Sequence, residues 1–348
     1  MAQQRQEQTL LLDGQVAVEP RVTPPPPVTT DPAQVKSIVE RHGLCILDLA
    51  WELGGERATV LTSAGEAGAG DGTDAFKEAA ETIPERIFGE VGGGCLLAKS
   101  GSVLVPHDEV AQNRTSTLHC DAIVSYGEQR PDYLFLMCAS ASDHGGANTL
   151  SDGLGALEGL RSDPSTRWVA ERLESTTLEL TTTHPAISAD GSPAAYTATR
   201  IIRRTPSGRR QVLHAADNLK SLDTASEEEQ ALDAEMLAKW SEAIAQMEPQ
   251  TVALAPGEIL VVDNFRYFHG REPFTMEPTP RALWQKWMWT ATGQGLPFGQ
   301  TPESLAAEST HAGGARFNPA PRVKPYTPPG AVAAAGAGAT AARPAAKI

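Results

Sequence analysis

The sequence predicts a mainly β domain with a few flanking helices. Short apolar runs recur between turn signals, at Cys45–Ala50, Pro131–Cys138, Glu258–Asn264 and Arg281–Trp289. Glycine, proline and asparagine punctuate the chain between them. Helical periodicity is confined to a few segments. The chain has 348 residues, and its motifs spread across the middle, which favours one large domain over two small ones.

Taken in order, residues 1–30 are polar and then proline-rich, and are expected to form a flexible arm in which Leu10, Leu11 and Leu12 offer at most an edge strand. Asp31 caps a helix that has Pro32 at its first position and Val35, Ile38 and Val39 on one face, and Gly43 stops it. Cys45–Ala50 follows as a buried strand. Gly65–Gly72 reads as a loop, and 74–85 is helical in composition. Gly92, Gly93 and Gly94 mark a turn; no lysine and Ser/Thr follow to make it a phosphate loop. Val103–His107 is apolar and ends at Pro106, and the polar stretch from there to Thr117 is a place for substrate contacts or plain loop.

Pro131–Cys138 is apolar on both faces. Residues 154–174 read as helix and Leu178–Thr183 as a strand. Tyr196–Val212 reads as a hairpin turning at Pro206-Ser207-Gly208. It carries Arg200, Arg203, Arg204, Arg209 and Arg210, either as a solvated face or as a grip on a carboxylate; Arg200, nearest the base, is the substrate candidate. Thr224–Glu227 has a capping-box pattern, and Leu232, Met236, Trp240, Ile244 and Met247 then define an amphipathic helix. The domain is expected over 31–325, with helical insertion between the histidine-bearing strands. The Ala/Gly/Pro tail at 326–348 is expected to be disordered.

The charge balance excludes some partners. Asp and Glu number 43 against 29 Lys and Arg, a net charge of −14, which argues against a nucleic acid or an anionic membrane surface. A small-molecule substrate remains, and nothing in the sequence speaks for or against a homo-oligomer. The four cysteines, Cys45, Cys95, Cys120 and Cys138, have no paired spacing and are expected to be reduced, in a cytoplasmic protein. No apolar run approaches the ~20 residues of a membrane span, and the N-terminus lacks the apolar core of a signal peptide.

The chemistry concentrates in two motifs. If His119 and Asp121 lie on one strand, alternation points both side chains to one face and Cys120 to the other. His269, in Asp263–Arg271, supplies a second imidazole from a later strand. Two histidines and one carboxylate leave three metal positions open, the arrangement typical of non-haem Fe(II). A lone His-x-Asp is ordinary strand sequence far more often than a ligand pair. Here it is joined by Gly145–Gly153 and by Arg281, twelve residues past His269.

Together these segments resemble the Fe(II)/2-oxoglutarate-dependent dioxygenases of the taurine dioxygenase and clavaminate synthase-like superfamily, over residues 95–292. The resemblance implies a double-stranded β-helix, a cupin-like jelly-roll. It implies that His119, Asp121 and His269 hold Fe(II), that Arg281 binds the far carboxylate of 2-oxoglutarate, and that Arg271 supports the site from behind. In the family a Thr after the glycine pair contacts 2-oxoglutarate. Here the loop is one residue longer, so either Asn148 or Thr149 takes that role. Pro131–Cys138 would pair beside the His119 strand. His184-Pro185 matches a family feature, with His184 an extra ligand by type and a structural residue by its neighbour. Trp287 and Trp289 would either wall the pocket or pack the core.

The implied reaction consumes O2 and converts 2-oxoglutarate to succinate and CO2 while oxidising an unactivated C–H bond. Asp121 is a carboxylate where related halogenases have Gly or Ala, so hydroxylation is expected, with desaturation or ring closure as alternatives. The Asp263–Phe274 phrase leans to the branch acting on free or modified amino acids, often in secondary metabolism. A zinc hydrolase and a non-catalytic cupin-like binding protein are the competing classes.

Overall fold

Fifteen strands follow one another along the described residues: β1 (Val28–Thr29), β2 (Leu44–Asp48), β3 (Cys95–Leu104), β4 (Ser116–His119), β5 (Tyr133–Ser140), β6 (Asn148–Asp152), β7 (Leu178–Thr182), β8 (Ala194–Thr199), β9 (Ile202–Arg204), β10 (Arg210–Val212), β11 (Leu219–Ser221), β12 (Gln250–Val252), β13 (Glu258–Asp263), β14 (Tyr267–Arg271) and β15 (Ala282–Thr290). They come from a computed structural model, which describes residues 24–49, 81–89, 94–104, 116–183, 187–188, 190–215, 218–275, 281–307 and 322–323. Several sequence expectations fall outside these residues: the Leu10–Leu12 patch, the Gly65–Gly72 loop, most of the 106–117 stretch, His184-Pro185 and the 326–348 tail.

A larger sheet has the order β1-β2-β13-β5-β15-β3, and a smaller one β12-β6-β14-β4. All pairs within them are antiparallel except β1 with β2. Along the chain β4, β6, β12 and β14 enter the smaller sheet and alternate with β5, β13 and β15 of the larger. This is the winding of a double-stranded β-helix, and the fold is the expected strand-rich jelly-roll with flanking helices.

Three apolar layers fix the site between the sheets. The central layer joins Leu134, Leu136, Leu260, Leu283 and Trp287 of the larger sheet to Leu150, Val252 and Tyr267 of the smaller. Behind the larger sheet, Val35 and Val39 of the helix Pro32–His42 and Ile83, Ile87 and Phe88 of helical residues 81–88 cover Phe135, Val261 and Met288. Behind the smaller sheet, Phe268 packs against the helices Gly153–Ser162, Arg167–Ser175 and Glu227–Ala245. The first helix forms as its sequence directs. Asp31 Oδ1 accepts from the Ala33 N–H at 2.9 Å, Pro32 opens it, and Gly43 at φ 80 ends it. Among the described residues no helix is long and apolar enough to cross a membrane.

Five local expectations need correction. The arm is not free to residue 30, because Val28–Thr29 joins the larger sheet beside β2. β4 ends at His119, and Asp121 sits in the turn that follows, where Ala122 takes φ 61. Residues 196–212 are not one hairpin: β9 and β10 pair with each other, while β8 pairs with β7 in a separate three-stranded sheet with β11. The capping box is Ser226 with Glu229, two residues beyond the Thr224 pattern, because the helix starts at Glu227. β5 does not lie beside β4 but between β13 and β15, since the alternating winding sends successive strands to opposite sheets.

Candidate metal centre and cosubstrate pocket

β4 and β14 are antiparallel neighbours, and His119 pairs directly with His269 across them. Opposed residues share a face, so both rings point to the sheet interior, with centroids 4.5 Å apart. The approach is close because residue 270 is glycine. A Cβ there would lie 2.4 Å from the Ser116 carbonyl oxygen. Asp121 reaches the same point from its turn. Its Oδ1 lies 3.5 Å from His119 Nε2 and 3.3 Å from His269 Nε2. One ligand atom from each residue falls within 4.8 Å of the others. The three residues picked out from the sequence are thus gathered at one point, although Asp121 is placed by a turn and not by strand alternation.

The protonation states suit a divalent metal. Burial pushes the His269 pKa below its usual value despite the Asp121 carboxylate beside it, so the ring stays neutral. Burial alone would raise the Asp121 pKa. The two imidazoles beside it, His269 first and then His119, hold it below the ordinary carboxylate range instead. The Thr117 carbonyl lies 2.8 Å from His119 Nδ1 and can only accept, so Nδ1 carries the proton and Nε2 offers its lone pair to the site. Two donors from β15 converge on the other carboxylate oxygen: Trp287 Nε1 at 2.7 Å and Gln285 Nε2 both donate to Asp121 Oδ2. Neutral imidazole nitrogens and one free carboxylate oxygen make a donor set that fits iron.

A second feature lies on the same inner face. Arg281, just before β15, is buried with 4% exposure, and among the described residues no carboxylate pairs with it. Burial first, and then the Arg271 guanidinium, pull its pKa from 12.5 down to about 10. It lines a cleft with Cys138, Ser140, Gly146, Asn148 and Leu254. The Phe274 ring lies against both guanidiniums, 4.5 Å from Arg271 and 5.3 Å from Arg281. Gly146, at φ 78, leaves the room that Arg281 occupies, for a Cβ there would lie 2.8 Å from Arg281 Cδ. A buried cation in a cleft, with no carboxylate paired to it among the described residues, suits an anionic ligand such as a carboxylate.

The remaining candidates separate by register. Asn148 pairs with Arg271 and Leu150 with His269, so Asn148 shares the inner face and lines the cleft, where its Nδ2 donates to the Val252 carbonyl at 3.3 Å. Thr149 pairs with Gly270 on the opposite face. Trp287 reaches Asp121, whereas Trp289 is fully buried and donates to the Gln129 carbonyl at 2.9 Å, a packing position. Arg200 is exposed. Arg203, Arg209 and Arg210 are taken up by Glu128, by Asp132 and Asp263, and by Glu158. Reasoning from sequence missed Gln285 as an Asp121 partner; its place two residues before Trp287 on the same face was the available signal.

No curated protein matches the chain. PvcB from Pseudomonas aeruginosa is 18% identical, with 74% of this chain and 80% of that chain covered and a TM-score of 0.44. The non-haem iron oxygenase OrfP, solved with Fe, is 16% identical, with 74% and 78% covered and a TM-score of 0.48. An asparagine oxygenase solved with Fe(II), hydroxyasparagine and succinate is 18% identical, with 69% and 79% covered and a TM-score of 0.43. The model of the taurine catabolism dioxygenase TauD, TfdA family matches residues 15–291, most of the chain. The chain therefore belongs to that family, and it is an iron- and 2-oxoglutarate-dependent dioxygenase.

Proposed function

We propose that this dioxygenase hydroxylates an unactivated C–H bond of a free amino acid or an amino-acid-derived small molecule, as a step in secondary metabolism. In this reading His119, Asp121 and His269 hold Fe(II), and Arg281 holds the far carboxylate of 2-oxoglutarate. The observation that carries it is the pairing of a 4.8 Å His-Asp-His cluster with a buried arginine that has no carboxylate partner among the described residues, both on one inner face. When bound, the metal and cosubstrate supply O2 activation coupled to the conversion of 2-oxoglutarate to succinate and CO2.

The chain's own residues supply aim and dryness. Trp287 and Gln285 hold Asp121 Oδ2, so Oδ1 is the oxygen left for the metal. The Thr117 carbonyl fixes the His119 tautomer. Leu134, Leu150 and Leu283 wall the inter-sheet space with hydrocarbon. Arg281 offers a planar fork to a carboxylate, and Asn148 lines the same cleft. A carboxylate at position 121 occupies the place a halide would need, which favours oxygen insertion over halogenation. The substrate class rests on the resemblance of Asp263–Phe274 to the amino-acid-oxidising branch. Membership of the family sets aside the zinc hydrolase and the non-catalytic binding protein.

The test begins anaerobically. Fe(II) and then 2-oxoglutarate are added, and the weak visible charge-transfer band of the chelate is expected. Free amino acids and their simple derivatives are then screened in air for succinate release and for a product carrying one added oxygen atom. A band without stimulation by any such compound would overturn the substrate class and leave the enzyme class standing.

A further inference from the structure

Because β4 stops at His119, the backbone of Asp121 has no strand partner. One side chain satisfies it instead. Asn264 Oδ1 accepts from the Asp121 N–H at 3.0 Å, and Asn264 Nδ2 donates to the Asp121 carbonyl at 3.3 Å and to the Pro131 carbonyl at 2.9 Å. Asn264 has no exposed surface. Its own backbone is pinned as well: the N–H donates to the Asp132 carbonyl at 2.9 Å, and the carbonyl accepts from the Arg130 guanidinium at 3.3 Å. The next residue after Asp121 is Ala122 at φ 61, the one non-glycine with positive φ among the described residues. A residue with a Cβ holds that conformation only when its surroundings impose it.

We propose that Asn264 is the positioning residue of the metal centre. Its amide replaces the missing strand pairing of Asp121 and holds the left-handed turn at Ala122, and together these aim the Asp121 carboxylate at His119 and His269. The proposal rests on the reading of those three residues as metal ligands. Only asparagine meets the demand at this position, which is one acceptor and two donors in a plane at fixed reach. Aspartate would set a carboxylate against two carbonyl oxygens, and leucine would leave three buried backbone groups unsatisfied. The clamp also joins two segments 143 residues apart in sequence, so the His119 and His269 halves of the site are locked together before any metal arrives.

Co(II) titration of the metal-free full chain tests this, read by the visible ligand-field spectrum and by dialysis equilibrium. Asn264→Asp is expected to bind Co(II) about 10- to 100-fold more weakly than wild type and to alter the band shape, with far-UV circular dichroism unchanged. Ala122→Gly, which adopts the turn without a Cβ, is expected to bind as wild type and to recover part of the affinity lost in an Asn264→Ala background. Hydrogen exchange on the wild-type protein needs no variant to fold: the Asp121 amide is expected to be protected like those of β14. A wild type that binds no Co(II) refutes the ligand reading. A wild type that binds, with Asn264→Asp matching it or with an unprotected Asp121 amide, refutes the Asn264 proposal alone.

Discussion

Replacing Arg281 by leucine should stabilise the metal-free protein while removing its hold on 2-oxoglutarate. The guanidinium is buried, has no carboxylate partner among the described residues, and faces a second cation in Arg271. Its pKa falls from 12.5 to about 10, a little over two powers of ten. At 1.36 kcal/mol for each power of ten, that marks the cation as destabilised by about 3 kcal/mol. The polar groups of Ser140 and Asn148 in the same cleft relieve part of this, which leaves about 1–3 kcal/mol. Leucine keeps an apolar stem near Leu254 and Leu283 and carries no charge. Thermal denaturation of the metal-free variant should therefore show a Tm a few degrees above wild type. Losing one side of a buried charge pair costs about 2–5 kcal/mol in binding, so 2-oxoglutarate affinity should fall from about 30-fold to several thousandfold. Fe(II) binding alone should be unchanged, because Arg281 touches none of His119, Asp121 and His269. An Arg281→Leu protein that is less stable without ligand, or that binds 2-oxoglutarate as wild type does, would refute the assignment.

Three further outcomes follow from the geometry. Asn148→Ala should raise the apparent KM for 2-oxoglutarate several-fold, whereas Thr149→Val should leave it alone, because only Asn148 shares the inner face; equal effects in a steady-state assay would contradict the register argument. Trp287→Phe removes one of two donors on Asp121 Oδ2 and should weaken metal binding about tenfold, with Gln285→Leu in the same protein costing more than either change alone; calorimetric titration with Mn(II) measures both. Asp132 is buried, and its carboxyl is pushed up to about 7 by that burial, while Arg209 divides its charge between Asp263 at 3.2 Å and Asp132 at 3.4 Å. The folded state thus keeps a proton that the unfolded chain releases near pH 4, so this contribution to stability is complete below pH 4 and is lost as pH rises through 7. The Tm of Asp132→Asn relative to wild type should climb between pH 5 and 8, and a flat difference would mean the carboxyl is already ionised.

Residue type and spacing made much of the site legible. Two histidines, a carboxylate and an arginine at family-like offsets mark the candidate site because each is chemically specific. The helix at Pro32–His42 was legible for a related reason, since Asp31, Pro32 and Gly43 each have one local use. What escaped was set by distant partners. Nothing near Ala122 in sequence signals a left-handed turn, because the condition that permits it is Asn264. Gln285 looks like any polar strand residue until the opposite sheet brings Asp121 to it. The arginine-rich 196–212 segment has hairpin chemistry at its tip, but β7 captures its first strand, a competition between pairings that turn residues do not encode. At the head of the long helix the Thr224–Glu227 pattern pointed two residues too early, since Ser226 is the cap and Met236, Trp240 and Ile244 are the residues buried along the helix.

The two imidazoles of the site do not share one environment. The His119 side chain is 42% exposed and that of His269 is 8% exposed. One wall of the centre is a door and the other is masonry. If these residues hold the metal as proposed, a competing chelator should reach His119 before His269. Wear follows the same path. Under aerobic turnover without substrate, peptide mapping should find oxidation at His119 well before His269, and an enzyme that ages in this way loses its metal from the outside inward.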